Sequence, residues 1–372
     1  MKKYMPRVSD KVLVDHLESV GAVLIEGAKW CGKTTTAKHL AQSMIEMDRP
    51  DMTEQYQQMA RINPAGLLEG DVPHLIDEWQ IAPNLWNAVR YEVDQRDEFG
   101  QFILTGSSVP PIISENMHTG TGRIVRMRMR PMTLFESGDS NGQVSLSDLF
   151  EGKDIYGSDN HNIDELAYLI CRGGWPKSVG QPMKVALRQA YSYFDAIVNS
   201  DISRVDGINR DTERAKRLMR SYARNISSQA AIETIRKDML VNDTDSFDKE
   251  SAYSYINALK KTFVIEDAPS WNPNLRSKTA IRTTETRYFV DPSIAVASLG
   301  LGPNDLVNDL EYMGFIFENL CVRDLRVYAE ALDGSVYHYR DKSELECDSV
   351  VHLRNGKYGL VEIKLGGDLL IE

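Results

Sequence analysis

Gly27-Ala-Lys-Trp-Cys-Gly-Lys-Thr34 follows the apolar run Ala22-Val-Leu-Ile25 and opens a helix-like segment from Thr34 to Ile45. The loop fits G-x-x-x-x-G-K-S/T, and its place between an apolar strand and a helix is the context such a loop requires. Backbone N–H groups of Gly27, Ala28, Lys29, Trp30, Cys31 and Gly32 can wrap anionic phosphates, and the N-terminus of the helix adds a favourable dipole. Lys33 neutralises the outer phosphates, and the hydroxyl of Thr34 is a ligand for Mg²⁺, with Thr35 closing the cradle. The sequence therefore predicts binding of a nucleoside triphosphate with Mg²⁺.

A phosphate loop needs a second metal anchor, an acidic residue at the end of a neighbouring strand. Val72-Pro-His-Leu-Ile-Asp-Glu78 supplies it: Asp77 is expected to hold the Mg²⁺ shell and Glu78 to orient or deprotonate the attacking water. Two carboxylates after an apolar run also occur at solvated strand ends, so the loop carries the weight of this assignment. Gln101-Phe-Ile-Leu104 reads as a third strand ending in Thr105-Gly-Ser-Ser108, where Thr105, with Ser107 in reserve, is placed to sense the γ-phosphate or the water. An ordinary polar turn is the alternative.

The strings Leu75-Ile-Asp-Glu-Trp-Gln80, Leu104-Thr-Gly-Ser-Ser108, Gly122-Arg123 and Arg130-Pro-Met-Thr-Leu-Phe-Glu136 resemble AAA-type ATPases of bacteria and archaea that carry an uncharacterised C-terminal region. Gly173-Gly-Trp-Pro176, Asp201-Ile-Ser-Arg-Val-Asp206, Trp271-Asn-Pro-Asn-Leu-Arg-Ser-Lys-Thr-Ala280 and Phe289-Val-Asp-Pro-Ser293 are similar to that C-terminal region. The resemblance implies an α/β P-loop NTPase core, a parallel sheet with helices on both faces. It also implies a role for Arg123, directed at the γ-phosphate of a neighbouring subunit in a homo-oligomer, where an arginine stabilises transition-state charge in trans. A structural arginine after Gly120-Thr-Gly122 is the other reading.

The chain has 372 residues, which suits two or three domains, and 42% hydrophobic content, enough for real cores. No apolar run approaches the ~20 residues of a membrane span, and Leu13, Leu17 and Val20 fall at helical spacing rather than in a signal-peptide core. Cys31, Cys171, Cys321 and Cys347 are scattered without zinc spacing. These features predict a cytoplasmic protein without a membrane partner. A net charge of −11 argues against a surface built for non-specific nucleic-acid binding. The basic exception is Arg123 to Arg130, where strand alternation puts Arg126, Arg128 and Arg130 on one face of an edge strand.

The expected domains are 1–136, the ATPase core; 137–162, a Gly/Ser/Asp/Asn-rich linker or mobile loop; 163–293, a helical and winged-helix region; and 294–372, a nuclease-like α/β domain. Helix-like Thr212–Asn225, Ser228–Met239 and Asp248–Thr262 precede strand-like Phe263–Asp267 and Thr286–Val290, the order of a winged helix-turn-helix. Arg276, Lys278, Arg282 and Arg287 fall in or near the wing, yet the third helix has a mixed face, so DNA competes with a protein partner. Further on, Glu318 on a helix-like stretch (Leu306 to Ala329), Asp348 on a strand and Glu362-Ile-Lys364 on the next resemble the PD-(D/E)xK nuclease core. Such a set gathers Mg²⁺ beside a lysine. A surface ion pair is the alternative. The chain stops soon after this strand, so the domain is expected to be truncated and inefficient at cleavage.

The function expected from the sequence is a Mg²⁺-dependent ATPase that couples nucleotide state to the C-terminal modules. Its alternatives are a non-catalytic ATP-dependent switch acting on a protein partner, or a DNA-processing nuclease regulated by ATP.

Overall fold

The computed structural model describes residues 4–108, 120–240, 247–272, 284–341 and 345–366. They form two compact units: one comprises the chain to Arg130 with Val205–Ile208 and Lys261–Phe263, the other the remainder. The first unit thus ends six residues before the expected boundary at 136.

The first unit is built on β1 (Ala22–Glu26), β2 (Ser43–Glu46), β3 (His74–Asp77), β4 (Phe102–Gly106) and β5 (Ile124–Arg128). All pairings are parallel, and the order is β2-β3-β4-β1-β5. Ala22-Val-Leu-Ile25 is a continuous apolar run because β1 is central and covered on both faces. Alternation divides its side chains between two cores. Ala22 and Leu24 join Ile76, Phe102 and Leu104 beneath Ala60, Leu85, Trp86 and Val89. Val23 and Ile25 join Leu75, Ile103 and Met127 beneath Leu13, Leu17 and Ala37. The covering helices are α1 (Val8–Leu17) and α2 (Lys33–Leu40) on one face, with α3 (Thr53–Ile62) and α4 (Leu85–Arg96) on the other. The expected parallel sheet with helices on both faces is therefore present.

The segment expected to be helical from Thr34 to Ile45 divides. α2 ends at Leu40 and Ser43–Glu46 becomes β2, in register with β3 from Ser43↔His74 to Glu46↔Asp77. The hydrogen-bonding edge of β3 overrides a local pattern that contains no Gly or Pro to mark the turn. β5 is the expected edge strand, with Met127 and Met129 buried. Arg126 and Arg128 both pair with Glu26, and the Arg128 guanidinium lies 4.2 Å from the centroid of Phe263. Arg130, expected on the same solvated face, is buried instead.

The second unit begins with α5 (Leu146–Phe150), inside the expected 137–162 linker. Its Leu146 and Phe150 pack on a core with Val336 and Val351. There follow α6 (Ile163–Arg172), α7 (Met183–Ala196) running into a π turn (Ile197–Asp201), α8 (Ile202–Arg204), α9 (Thr212–Arg224), α10 (Ile232–Leu240) and α11 (Lys249–Lys261). Antiparallel bridges Ile265↔Phe289 and Ala268↔Thr286 make a short ribbon. α12 (Pro292–Leu299), capped by Asp291, packs on α6, α7 and α9, so the boundary expected at 293/294 falls inside a helix of the helical region. The expected helix from Leu306 is two, α13 (Pro303–Asn308) and α14 (Leu310–Glu330), with Asp309 capping the second. Against α14 lies an antiparallel sheet of β6 (Gly334–Arg340), β7 (Glu346–Leu353) and β8 (Tyr358–Val361). Among the described residues no helix is long and apolar enough to cross a membrane.

Candidate functional site

The sheet order explains the site. β4 lies between β1, which delivers the Gly27 loop, and β3, which delivers Asp77, so the end of β4 touches both. The main chain of the loop is close to the end of β5: a Cβ on Gly27 would lie 2.0 Å from the carbonyl oxygen of Met129, so only glycine fits. Gly32, at φ 111°, turns the chain into α2. Ala28 and Cys31 are buried, Trp30 is exposed with φ 66°, and Thr35 faces outward on the first turn of α2. Lys33, 5% exposed, donates from Nζ to the carbonyls of Gly27 and Ala28, both at 2.9 Å. Its ammonium is thereby held inside the curve of the loop.

Asp77 and Thr105 are buried where the three strands end. Thr34 Oγ1 donates to Asp77 Oδ1 at 2.8 Å, and the Thr105 hydroxyl donates to the same oxygen. Thr105 Oγ1 also accepts the Glu78 backbone N–H at 3.1 Å. Thr105 is thus bonded to Asp77 and Glu78 together. Two hard oxygens 2.8 Å apart, from Thr34 and Asp77, suit adjacent ligands of an octahedral Mg²⁺ at about 2.0–2.1 Å each.

Glu78 has a left-handed backbone, φ 54°, that swings its side chain out of the strand direction. A bulky residue in that region stores strain, a feature that clusters at functional sites. Its Oε2 accepts from Gln80 Nε2 and, at 3.1 Å, from Ser107 Oγ. No motif marks Gln80, although it follows Asp77 closely in Leu75-Ile-Asp-Glu-Trp-Gln80. Its Oε1 is buried and unpaired. Arg7 was also missed: it is 7% exposed and donates to the carbonyls of Cys31 and Arg130, both at 2.8 Å. No motif marks it, because its partners are main-chain atoms far along the chain.

Arg123 lies at the opposite end of the sheet. The Ala22 N–H at the start of β1 bonds to the Arg123 carbonyl, whereas the loop follows Glu26, roughly 13 Å further at ~3.3 Å per residue. Its Nε donates to Asp94 Oδ1 at 2.7 Å. Strand direction therefore sets Arg123 apart from the phosphate loop of its own chain.

In the second unit, Tyr288 donates to Glu318 Oε1, and burial pushes the Glu318 carboxyl up to about 7. Asp348 Oδ2 accepts the Ile363 N–H at 2.7 Å and lies 3.9 Å from Lys364 Nζ, which also pairs with Glu362 at 2.6 Å. Burial raises the Asp348 carboxyl as well. These residues are electrostatic neighbours, yet among the described residues no group of three or more His, Cys, Asp or Glu is placed to hold a metal. The metal-gathering geometry expected of Glu318, Asp348 and Glu362 is not assembled; the carboxylates spend their bonds on Tyr288, the main chain and Lys364. Of the basic wing residues, Arg276, Lys278 and Arg282 lie outside the described residues. Arg287 is buried against Asp267 at 2.6 Å and is not offered to DNA.

Residues 19–137 match the family described as "AAA domain", 163–305 a domain of unknown function (DUF8612), and 313–369 a domain of unknown function (DUF4143). A comparison with curated proteins found no match. Among solved structures the chain is similar to the Walker-type ATPase PABY2304 of Pyrococcus abyssi, at 14% identity and TM-score 0.45 over 78% of this chain and 94% of that one. It is also similar to the Aeropyrum pernix ORC2 protein in its ADPNP-ADP complexes, at 12% identity and TM-score 0.35 over 72% and 90%. A third is C. elegans PCH-2, at 15% and 0.24 over 52% and 59%. The loop, the parallel sheet and the match of residues 19–137 to the family described as "AAA domain" together support an AAA-type P-loop fold and ATP binding in the N-terminal part of the chain.

Proposed function

We propose that the chain is a Mg²⁺-dependent ATPase whose nucleotide state governs its second unit. The observation that carries this reading is the meeting of the Thr34 hydroxyl, the Asp77 carboxylate and the Glu78 main chain through Thr105, beside the Gly27–Thr34 loop. Loop N–H groups and Lys33 hold the phosphates, and Thr34 and Asp77 are the residues that would hold the ion. Bound there, Mg²⁺ neutralises charge on the phosphate oxygens. Glu78 accepts the proton of the attacking water, while Gln80 and Ser107 orient its carboxylate. Thr105 ties that carboxylate's main chain to the metal ligand, which suits a sensor of the γ-phosphate. ATP turnover in Mg²⁺ and in EDTA, with Asp77→Asn beside the wild type, tests the reading. Turnover independent of both the metal and Asp77 would overturn it.

A second reading, a non-catalytic switch, is favoured by one observation: the Glu78 carboxylate is already engaged by two donors. Tight ATP binding with no turnover would select it. Three helices followed by an antiparallel ribbon support a winged-helix reading of 212–290. The buried Arg287 and the −11 charge favour a protein contact over DNA. Glu318 on the helix, Asp348 on the second strand and Glu362-Ile-Lys364 after the third support a nuclease-like fold without efficient cleavage. At that distance from its own loop, Arg123 has a nucleotide role only in trans, in a homo-oligomer, and its ion pair with Asp94 is the structural alternative. A cytoplasmic location goes with this reading.

A further inference from the structure

The Gly27 and Ala28 carbonyls of the loop face the Lys33 ammonium, whereas a peptide that turns its N–H inward to a phosphate has its carbonyl on the outside, where it needs a donor. At the bond between Cys31 and Gly32 this requirement is demanding. Gly32 adopts φ 111°, a conformation that glycine allows, and has no side chain of its own to restrain the peptide before it. The peptide is trans, and a trans amide carries its C=O and N–H on opposite sides. Whatever holds the Cys31 carbonyl outward therefore aims the Gly32 N–H inward.

Arg7 makes that bond. Its guanidinium, buried behind the loop, donates one N–H to Cys31 O and another to Arg130 O beyond the end of β5, both at 2.8 Å. Its backbone N–H is fixed by Asp10 at 2.8 Å. Asp10 in turn accepts from the Tyr4 hydroxyl at 2.6 Å, and Tyr4 reaches Thr36 at 3.1 Å and stacks on His39 of α2. Met129 N–H to Glu26 O at 2.8 Å and Cys31 Sγ to Met129 O at 3.4 Å complete the seam. Arg7 is thus anchored on a rigid edge and reaches a peptide of the loop that precedes a glycine.

We propose that Arg7 is a positioning residue for nucleotide binding: it locks the Cys31–Gly32 peptide with its N–H toward the phosphates, and its positive charge polarises that N–H into a stronger donor. The proposal rests on the ATPase reading above. No contact between Arg7 and the nucleotide is implied, since the guanidinium lies behind the loop.

The test measures ATP affinity by calorimetry for the full chain, the Arg7→Met and Arg7→Lys variants, and Tyr4→Phe, at a temperature where each is folded by circular dichroism. Loss of a charge-assisted bond predicts roughly ten- to a hundred-fold weaker ATP binding in Arg7→Met. Arg7→Lys, which can still reach one carbonyl, should recover part of that loss. Tyr4→Phe, which loosens the segment without touching the Cys31–Gly32 peptide, should bind within about two-fold of wild type on the same scale. If Arg7→Met does not fold, Arg7→Lys alone decides, by binding more weakly than wild type. Wild-type affinity in both Arg7 variants, or an equal loss in Tyr4→Phe, would overturn the proposal while leaving the ATPase reading intact. A wild-type chain that binds no ATP would overturn both.

Discussion

Arg323→Met should destabilise the second unit by about 3 kcal/mol. Arg323 is 1% exposed and spans two carboxylates, Asp291 Oδ2 at 2.8 Å and Asp324 Oδ1 at 2.7 Å. Removing one partner of a buried ion pair costs about 3–5 kcal/mol, because the remaining charge is stranded. Here both anions keep other donors: Asp291 accepts from Gly174 N, Ser293 N and Ser293 Oγ, and Asp324 accepts from Leu134 N. Those bonds place the loss at the lower end of the range. The penalty is pH-dependent. Burial already raises the Asp324 carboxyl above its ordinary value, and without the guanidinium it rises further. A group whose folded pKa is raised stabilises the fold when protonated and loses that contribution as pH rises. The deficit of Arg323→Met should therefore be smaller near pH 4 than at pH 7. Urea unfolding at both values, followed by circular dichroism and by tryptophan fluorescence, to which the second unit contributes Trp175 and Trp271, measures it. A loss under about 1 kcal/mol, or one equal at both pH values, would refute the argument that stranded charge dominates.

Three other outcomes follow from the geometry. Glu318→Gln keeps an acceptor for Tyr288 and removes a carboxyl raised from 4.5 to about 7. Wild-type stability should fall as pH rises through that interval while the variant stays flatter, by up to on the order of 3 kcal/mol, read by denaturation at pH 5 and 8. Arg123→Ala chains mixed with Lys33→Ala chains should regain ATPase activity if Arg123 acts in trans; no rescue in demonstrated mixed oligomers would make it structural. Gly27→Ala should abolish ATP binding by calorimetry, since its Cβ would lie 2.0 Å from Met129 O.

The loop and the central strands were legible because the sequence carries their physics locally: a glycine-framed turn after a run buried on both faces. β2 was not. Its four residues are partly exposed and follow α2 without a Gly or Pro, so only the edge of β3 reveals it. The order of helices in the second unit was legible from apolar spacing, whereas the break at Asp309 and the packing of α12 depend on neighbours distant in sequence. The strings Arg130–Glu136, Gly173–Pro176 and Phe289–Ser293 carried the resemblance without disclosing a purpose. Leu134, Gly174, Asp291 and Ser293 meet around the Arg323 and Asp324 side chains, and Trp175 Nε1 donates to Ser293 Oγ at 2.9 Å. Arg7, Gln80 and Arg323 escaped notice because a hydrogen bond to a remote carbonyl or a buried carboxylate leaves no periodicity in the chain.

Glu78→Gln tests the central claim most directly, because glutamine keeps the shape of the side chain and removes its capacity to accept a proton. ATP affinity and steady-state turnover are measured on the same preparation in Mg²⁺. The account predicts that affinity stays within a few-fold of wild type while turnover falls roughly 10²–10⁴-fold, the usual contribution of a general base. Wild-type turnover in Glu78→Gln, or loss of ATP binding together with turnover, would contradict the assignment of Glu78 as the base.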